Sequence, residues 1–292
     1  MFEVNGVNGG SLRESIRRWL DEDVGTGDVT TMTTVPANHE SDAVIHAKQP
    51  GVVAGLPVAK AVFAEVDPGL VFVPLVPEGG RIERGTVLAT VTGNTRAILI
   101  AERLVLNLLQ RLSGVATTTR AFVDAVEGLP VRISDTRKTT PGLRVLEKYA
   151  VRVGGGHSHR FGLYDAVLIK DNHIKAAGGV ARAIGAAKAQ LSHTMKIEVE
   201  VETLEQLDEA LEAGADIFLL DNMPIDVMRE AVRRIRSVLP HAVVEASGSV
   251  TLDNVREIAE TGVDVISIGR ITHSAPALDI SLDLSGRKEA VK

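Results

Sequence analysis

The chain has 292 residues, no cysteine and a formal net charge of -6. That length admits one large domain or two modest ones with a substantial core, and the missing thiols exclude disulfides and thiolate catalysis. An acidic balance with 3% aromatic residues argues against a nucleic-acid surface, and no apolar run approaches the ~20 residues of a membrane span. The opening residues lack the basic-then-apolar order of a secretory signal, so a cytoplasmic enzyme is the expectation.

In chain order, Ser11 and Glu14 form an S-x-x-E capping box, and Leu12, Ile16, Trp19 and Leu20 follow at helical spacing, predicting a first helix to about Asp21. Residues 23–28 form a turn-rich loop. Strands are predicted at 43–48, 71–76 and 87–91, with a short helix over 57–66. This first part reads as a mixed α+β unit. Residues 98–112 are apolar on nearly every side, which marks a helix buried all round or packed on a second chain. Glu102-Arg103 is a charged pair inside it.

After Pro130 a regular alternation sets in. Strands are predicted at 131–134, 166–169, 196–201, 216–220, 242–245 and 264–268. Helix starts are read at Thr140 before Pro141, Thr203 with Gln206, and Thr251 before Leu252, and helix ends at Gly214 and Gly262. Continuous Val, Ile and Leu between helices predict a parallel sheet covered on both faces. Six such units suggest a βα barrel, complete or incomplete, with a doubly wound open sheet as the alternative. The alternating tail from Ala275 is expected to return as a strand to the first domain. The division is therefore 1–113, completed by 275–292, and a barrel over 114–274.

The residues at the strand ends are Asp135, Lys170, Glu200, Asp221, the turn Ser247-Gly248-Ser249, and Gly269, with Glu198 on the same strand face as Glu200. Barrel enzymes collect their chemistry at these ends, because the loops there converge on one mouth. Residues 135–175 also hold eight Lys or Arg and three His against four carboxylates, a local cation cluster in an acidic protein. Arg137, Lys138, His159, Arg160 and Lys170 supply positive charge for gripping carboxylates. Glu200 and Asp221 offer oxygens to Mg²⁺ or to sugar hydroxyls, and the Ser247–Ser249 turn offers N–H groups to a phosphate. Lys170 read alone fits a Schiff-base aldolase or a plain salt bridge, and His159 alone is more often structural than catalytic. Residues 71–93 faintly resemble a carrier domain but contain no lysine to modify.

The runs Asp135 to Arg144, Lys148-Tyr149-Ala150-Val151, Gly154-Gly155-Gly156, His159-Arg160 and Ile169 to His173 resemble the quinolinate phosphoribosyltransferase family, as do Gly27 to Thr31, Ala101-Glu102-Arg103 and Glu245 to Gly248. The resemblance implies an N-terminal α/β sandwich domain and an open, seven-stranded, TIM-like α/β barrel in a homodimer or larger assembly. It implies transfer from phosphoribosyl pyrophosphate to quinolinate with Mg²⁺, giving nicotinate mononucleotide, pyrophosphate and CO₂. Carried over, Arg137, Lys138, His159, Arg160 and Lys170 hold quinolinate, Thr139 is a further substrate-binding residue, and Arg103 reaches in from a neighbouring subunit. Glu200 and Asp221 serve the ribose and metal–pyrophosphate side. Ser247, Gly248, Ser249, Ile268, Gly269 and Arg270 take the phosphate, and Lys138, Lys170, Glu200 and Asp221 form the catalytic set. Ser249 and Arg270 stand where the family pattern calls for a glycine and a small residue. A related transferase acting on another pyridine or aromatic acid is the nearest alternative.

Overall fold

The computed structural model describes residues 9–285. Helices α1 (Gly9–Val24) and α2 (Val29–Thr34) lead into strands β1 (Glu40–Ala47) and β2 (Gly51–Val52), helix α3 (Leu56–Val66), strands β3 (Val71–Pro74), β4 (Arg81–Ile82) and β5 (Val87–Asn94), and the 31-residue helix α4 (Thr95–Ala125). Then come β6 (Arg132–Ser134), α5 (Arg144–Val153), β7 (Val167–Ile169), α6 (Asp171–Ala177), α7 (Val180–Gln190), β8 (Ile197–Val201), α8 (Leu204–Ala213), β9 (Ile217–Asp221) and α9 (Ile225–Val238). The chain closes with β10 (Val243–Ser247), α10 (Val255–Ala259), β11 (Val265–Ser267), α11 (Arg270–His273) and β12 (Ile280–Ser285). Among the described residues no helix is long and apolar enough to cross a membrane.

The chain divides into two compact units: residues 1–120, 140–155 and 274–292, and residues 121–139 and 156–273. Residues 140–155, read from sequence as barrel, thus cluster with the first unit.

In the first unit an antiparallel sheet runs β12-β1-β5-β3. Strand β1 alternates in burial, with Ala43, Ile45 and Ala47 fully buried, because its period of two sends one side chain in and the next out. Strand β12 lies antiparallel to β1, Ile45 opposite Leu282, so the tail completes this sheet. Helix α4 is tied to the chain around β2 by its own hydroxyls: Ser113 Oγ accepts from Ala54 N at 3.0 Å and Thr117 Oγ1 from Val52 N at 2.8 Å. Half-buried Glu78 accepts from Gly55 N and Leu56 N, which closes the start of α3 where no Ser, Thr or Asp cap exists. It also accepts from Tyr149 Oη at 2.7 Å, and burial raises both pKa values.

Several sequence expectations are corrected here. Ser11 lies inside α1, so the Ser11/Glu14 pair is not the start of that helix. The loop read at 23–28 ends in an unforeseen short helix, α2, whose N-cap Asp28 accepts from Thr31 N at 2.9 Å. Thr140 does not cap a helix: α5 begins at Arg144, and Thr140 N and Oγ1 both donate to the fully buried Glu147, at 2.9 and 2.7 Å. Thr251 likewise precedes a turn, with α10 starting only at Val255. Thr203 does cap α8, accepting from Gln206 N at 3.2 Å, and Gly214 ends that helix in the left-handed conformation.

In the second unit six parallel strands run in the order β6-β11-β10-β9-β8-β7. From β7 to β11 each neighbour is the next strand in sequence, β6 pairs with β11, and the ring is left open between β6 and β7. The seventh strand of the expected barrel is a single bridge, Ser134 with His157, on the free side of β6. His157 N donates to Ile133 O at 2.8 Å and Asp135 N to His157 O at 3.1 Å, so this one residue extends the ring by a rudimentary strand. The register sets Glu200 beside Leu219 and Leu219 beside Glu245, and two residues on it sets Asp221 beside Ser247. Alternation therefore aims Glu198, Glu200, Leu219, Asp221, Glu245 and Ser247 at one face. Val199, Phe218, Leu220, Val244 and Ala246 go to the other, where helices bury them.

Candidate functional site

A cavity of about 560 Å³ opens at the C-terminal ends of these strands. Its walls hold Arg137, Lys138, His159, Arg160 and Lys170 together with Glu200, Asp221, Ser247, Gly248 and Ser249. Residues up to 112 positions apart in the chain, from Arg137 to Ser249, thus meet at one rim. Thr136, Asn222, Glu245 and Ser267 line the same cavity and were not read from sequence as site residues. The signal for Glu245 was present: it is a carboxylate inside an otherwise apolar strand.

Five sequence candidates do not line this cavity. Arg103 lies exposed on α4 in the other unit. Thr139 is half-buried beside the wall, Ile268 is core, and Arg270 is exposed. Gly269 serves the wall indirectly: a Cβ there would stand 2.9 Å from Lys138 Cδ, so glycine leaves room for the lysine stem. The Lys138 backbone is fixed on both sides, its N–H donating to Thr136 Oγ1 at 3.0 Å and its carbonyl accepting from Thr272 Oγ1 at 2.8 Å.

Lys170 follows β7 and its ammonium donates to Glu200 Oε2 on the adjacent strand. The Lys170 N–H donates to His173 Nδ1 at 2.9 Å, closing the first turn of α6. Beside them Asp221 Oδ2 accepts from Asn222 Nδ2 at 2.8 Å. Asn222 (φ 51°), Gly248 (φ 93°) and Ser249 (φ 51°) all adopt left-handed backbone. At Gly248 a side chain would run into Asn222 Oδ1, so only glycine fits. Ser249 holds a conformation that a serine enters at a cost of about 1–3 kcal/mol, a form of strain that clusters at ligand sites.

Arg160 donates to Ala166 O at 3.3 Å. Burial, and then the like charge of Arg137, pull its pKa below the ordinary value, and Glu198 opposes this. An anion between the two arginines would relieve that repulsion.

Beneath the cations lies a buried cluster. His159 Nε2 stands 3.5 Å from Glu198 Oε2 and 3.4 Å from Glu245 Oε1. Glu198 and Glu245 are 5% and 4% exposed; Glu198 Oε1 and Glu245 Oε1 have no hydrogen-bond partner, so Glu245 meets the ring by charge and proximity. Burial pulls the His159 pKa down, but the two carboxylates outweigh it and lift the value to about 10. Burial first, then the charge of Glu245, raises Glu198. His159 Nδ1 accepts from Arg160 N at 2.7 Å, which leaves no place for a proton on that nitrogen. The ring's own proton therefore sits on Nε2, and a further proton taken up by the cluster lies on a carboxylate oxygen, where burial favours the neutral acid. His159, Glu198 and Glu245 have a metal-like spacing, within 4.8 Å of one another, yet the imidazole nitrogen already serves the carboxylates. Glu200 and Asp221 fit a hard cation better, since both offer carboxylate oxygens at the ends of neighbouring strands in the cavity lining.

A parallel ring of strands with a cationic bowl, paired carboxylates and a glycine turn at its mouth defines an enzyme of the βα-barrel class acting on small anionic substrates. Residues 28–113 match the family model for the quinolinate phosphoribosyl transferase N-terminal domain, and residues 115–283 the model for its C-terminal domain. The chain is 46% identical over 277 residues to the carboxylating nicotinate-nucleotide pyrophosphorylase of Mycobacterium leprae, covering 94% of this chain and 97% of that one. It is 44% identical over 292 residues to a decarboxylating, mitochondrial quinolinate phosphoribosyltransferase of Nicotiana glauca, covering 94% and 82%. The solved nicotinate-nucleotide pyrophosphorylase of Francisella tularensis superposes with a TM-score of 0.89 at 36% identity, over 97% of this chain and 99% of that one. The chain belongs to the quinolinate phosphoribosyltransferase family.

Proposed function

We propose that this chain transfers the phosphoribosyl group of phosphoribosyl pyrophosphate to quinolinate with loss of CO₂, giving nicotinate mononucleotide and pyrophosphate for NAD synthesis. The observation that carries the reading is the meeting of Arg137, Lys138, Arg160 and Lys170 with Glu200, Asp221 and the Ser247–Ser249 turn in one cavity. Two carboxylates on one ring need opposed cations, and a phosphorylated sugar needs an N–H turn and carboxylates for its hydroxyls. Both sets are present.

Arg137, Lys138, Arg160 and Lys170 hold the two quinolinate carboxylates, which aims the ring nitrogen at the anomeric carbon. As the C–O bond to pyrophosphate breaks, positive charge grows on the ribose, and Glu200 and Asp221 stabilise it. The ring nitrogen bonds to that carbon, and the resulting pyridinium withdraws electrons from the adjacent ring carbon. The bond to the 2-carboxylate then breaks, CO₂ leaves, and the electron pair remaining on the ring takes up a proton. Glu200 and Asp221 are the residues that would hold Mg²⁺, which when bound supplies neutralising charge to the departing pyrophosphate. Arg103, exposed on a largely apolar helix, would complete a second copy's cavity in a homodimer. Parallel assays of quinolinate and nicotinate with phosphoribosyl pyrophosphate test the reading. Turnover of quinolinate alone is expected, and turnover of nicotinate alone would overturn it.

A further inference from the structure

We propose that Glu198 and Glu245 are positioning residues, which clamp the His159 ring from opposite strands and through it fix the backbone that presents Arg160 to the substrate. The inference rests on the proposed activity and goes beyond it. Glu198 sits on β8 and Glu245 on β10, two strands apart, and both reach the same imidazole nitrogen from the inner face of the ring of strands. The other imidazole nitrogen accepts from Arg160 N at 2.7 Å. The His159 backbone is held as well, its N–H donating to Oδ1 of the fully buried Asp135 at 2.9 Å. Four strands therefore converge on one dipeptide: β6 through Asp135, the rudimentary strand at His157, and β8 and β10 through their carboxylates. The outcome is a guanidinium placed in the cavity wall.

Neither carboxylate is explained as filling. The interior of such a barrel is ordinarily packed with branched apolar side chains. Here two acids are buried, Glu245 in the lining of a cation-rich cavity and Glu198 across the His159 ring from it, and Glu198 Oε1 and Glu245 Oε1 have no hydrogen-bond partner. By charge alone they weaken binding of a dianion, since like charges repel more strongly as the surroundings become less polar. If their role were electrostatic only, neutralising either one would tighten quinolinate binding. If they position His159 and Arg160, neutralising either one loosens it. The two accounts differ in sign.

The test is steady-state kinetics of Glu198→Gln and Glu245→Gln, with melting temperature followed alongside. The KM for quinolinate is expected to rise on the order of tenfold, the scale seen when a metal-bound histidine loses its outer carboxylate partner, while the KM for phosphoribosyl pyrophosphate changes by less than about twofold. An unchanged or lowered KM for quinolinate in both variants would overturn the proposal, as would an equal rise for both substrates. His159→Phe in the Glu245→Gln background supplies a double-mutant cycle: the combined loss is expected to fall well short of the product of the single losses, and a full product would contradict action through His159. Should the variants fail to fold, ring-nitrogen NMR of the ¹⁵N-histidine-labelled wild type reads the same network. A protonated Nε2 and a bare Nδ1 are expected for His159, and a protonated Nδ1 would overturn the clamp. Wild-type turnover of quinolinate is measured in parallel, so failure of the activity itself is distinguished from failure of the clamp.

Discussion

At the scale of single residues the cavity is a balance of charges held in place by the backbone. Lys138 and Lys170 both supply cations to its lining, and neither is buried in the core. Alanine at either position is expected to lower kcat/KM by about a hundredfold or more, as loss of one preorganised charge partner does, with the melting temperature little changed. Stopped assays and a thermal melt check both. The His159 cluster adds a pH dependence. The His159 pKa of about 10 lies above the ordinary 6.5, so between those values the folded cluster of ring and carboxylates holds one proton more than the unfolded chain. The stability this proton contributes is complete below about pH 6.5 and is lost as pH rises towards 10. Urea midpoints are expected to fall over that window in the wild type and to fall less in His159→Phe. Parallel curves for the two would contradict the assignment.

At the scale of elements, two sites show how local chemistry sets stability. Glu147 on α5 is fully buried and joins Arg111 of α4 (2.7 and 3.0 Å) to Thr140. Glu147→Ala leaves the guanidinium facing an emptied pocket and is expected to cost about 3 kcal/mol, read as a shift in denaturant midpoint. Gly114 on α4 lies directly against the Pro276 carbonyl, where any Cβ would collide with backbone. Gly114→Ala is therefore expected to destabilise by about 1–3 kcal/mol despite the better helix propensity of alanine.

These elements also show what a sequence can reveal. The parallel strands were legible because each is a continuous apolar run between helices, and their ends were legible because a charged or glycine-rich break follows each run. The rudimentary strand at His157 carries no periodic signal, since one residue has no period. Helix α2 was hidden by its threonines, which favour strands, and only the Asp28 cap marked its start. Thr140 before Pro141 has the composition of a helix start, but a buried partner at Glu147, invisible in sequence, claims its donors. Glu198 and Glu245 could be seen as acids in apolar strands, but their meeting at one imidazole depends on register across three strands.

At the scale of the whole molecule, the cavity belongs to the second unit, whereas Arg103 sits exposed on a long apolar helix of the first. A composite site in a homodimer predicts that Arg103→Ala and Lys138→Ala, each inactive alone, regain activity on mixing. Random exchange of subunits would restore about a quarter of the wild-type sites. No recovery after verified exchange would put Arg103 outside the neighbouring site. The central claim is that one cavity both joins a phosphoribosyl group to quinolinate and expels its 2-carboxylate. Quinolinate labelled at that carboxylate, incubated with phosphoribosyl pyrophosphate and Mg²⁺, tests it most directly: labelled CO₂ and pyrophosphate are predicted to appear in equal amounts, and pyrophosphate release with the label retained in the nucleotide would contradict the account.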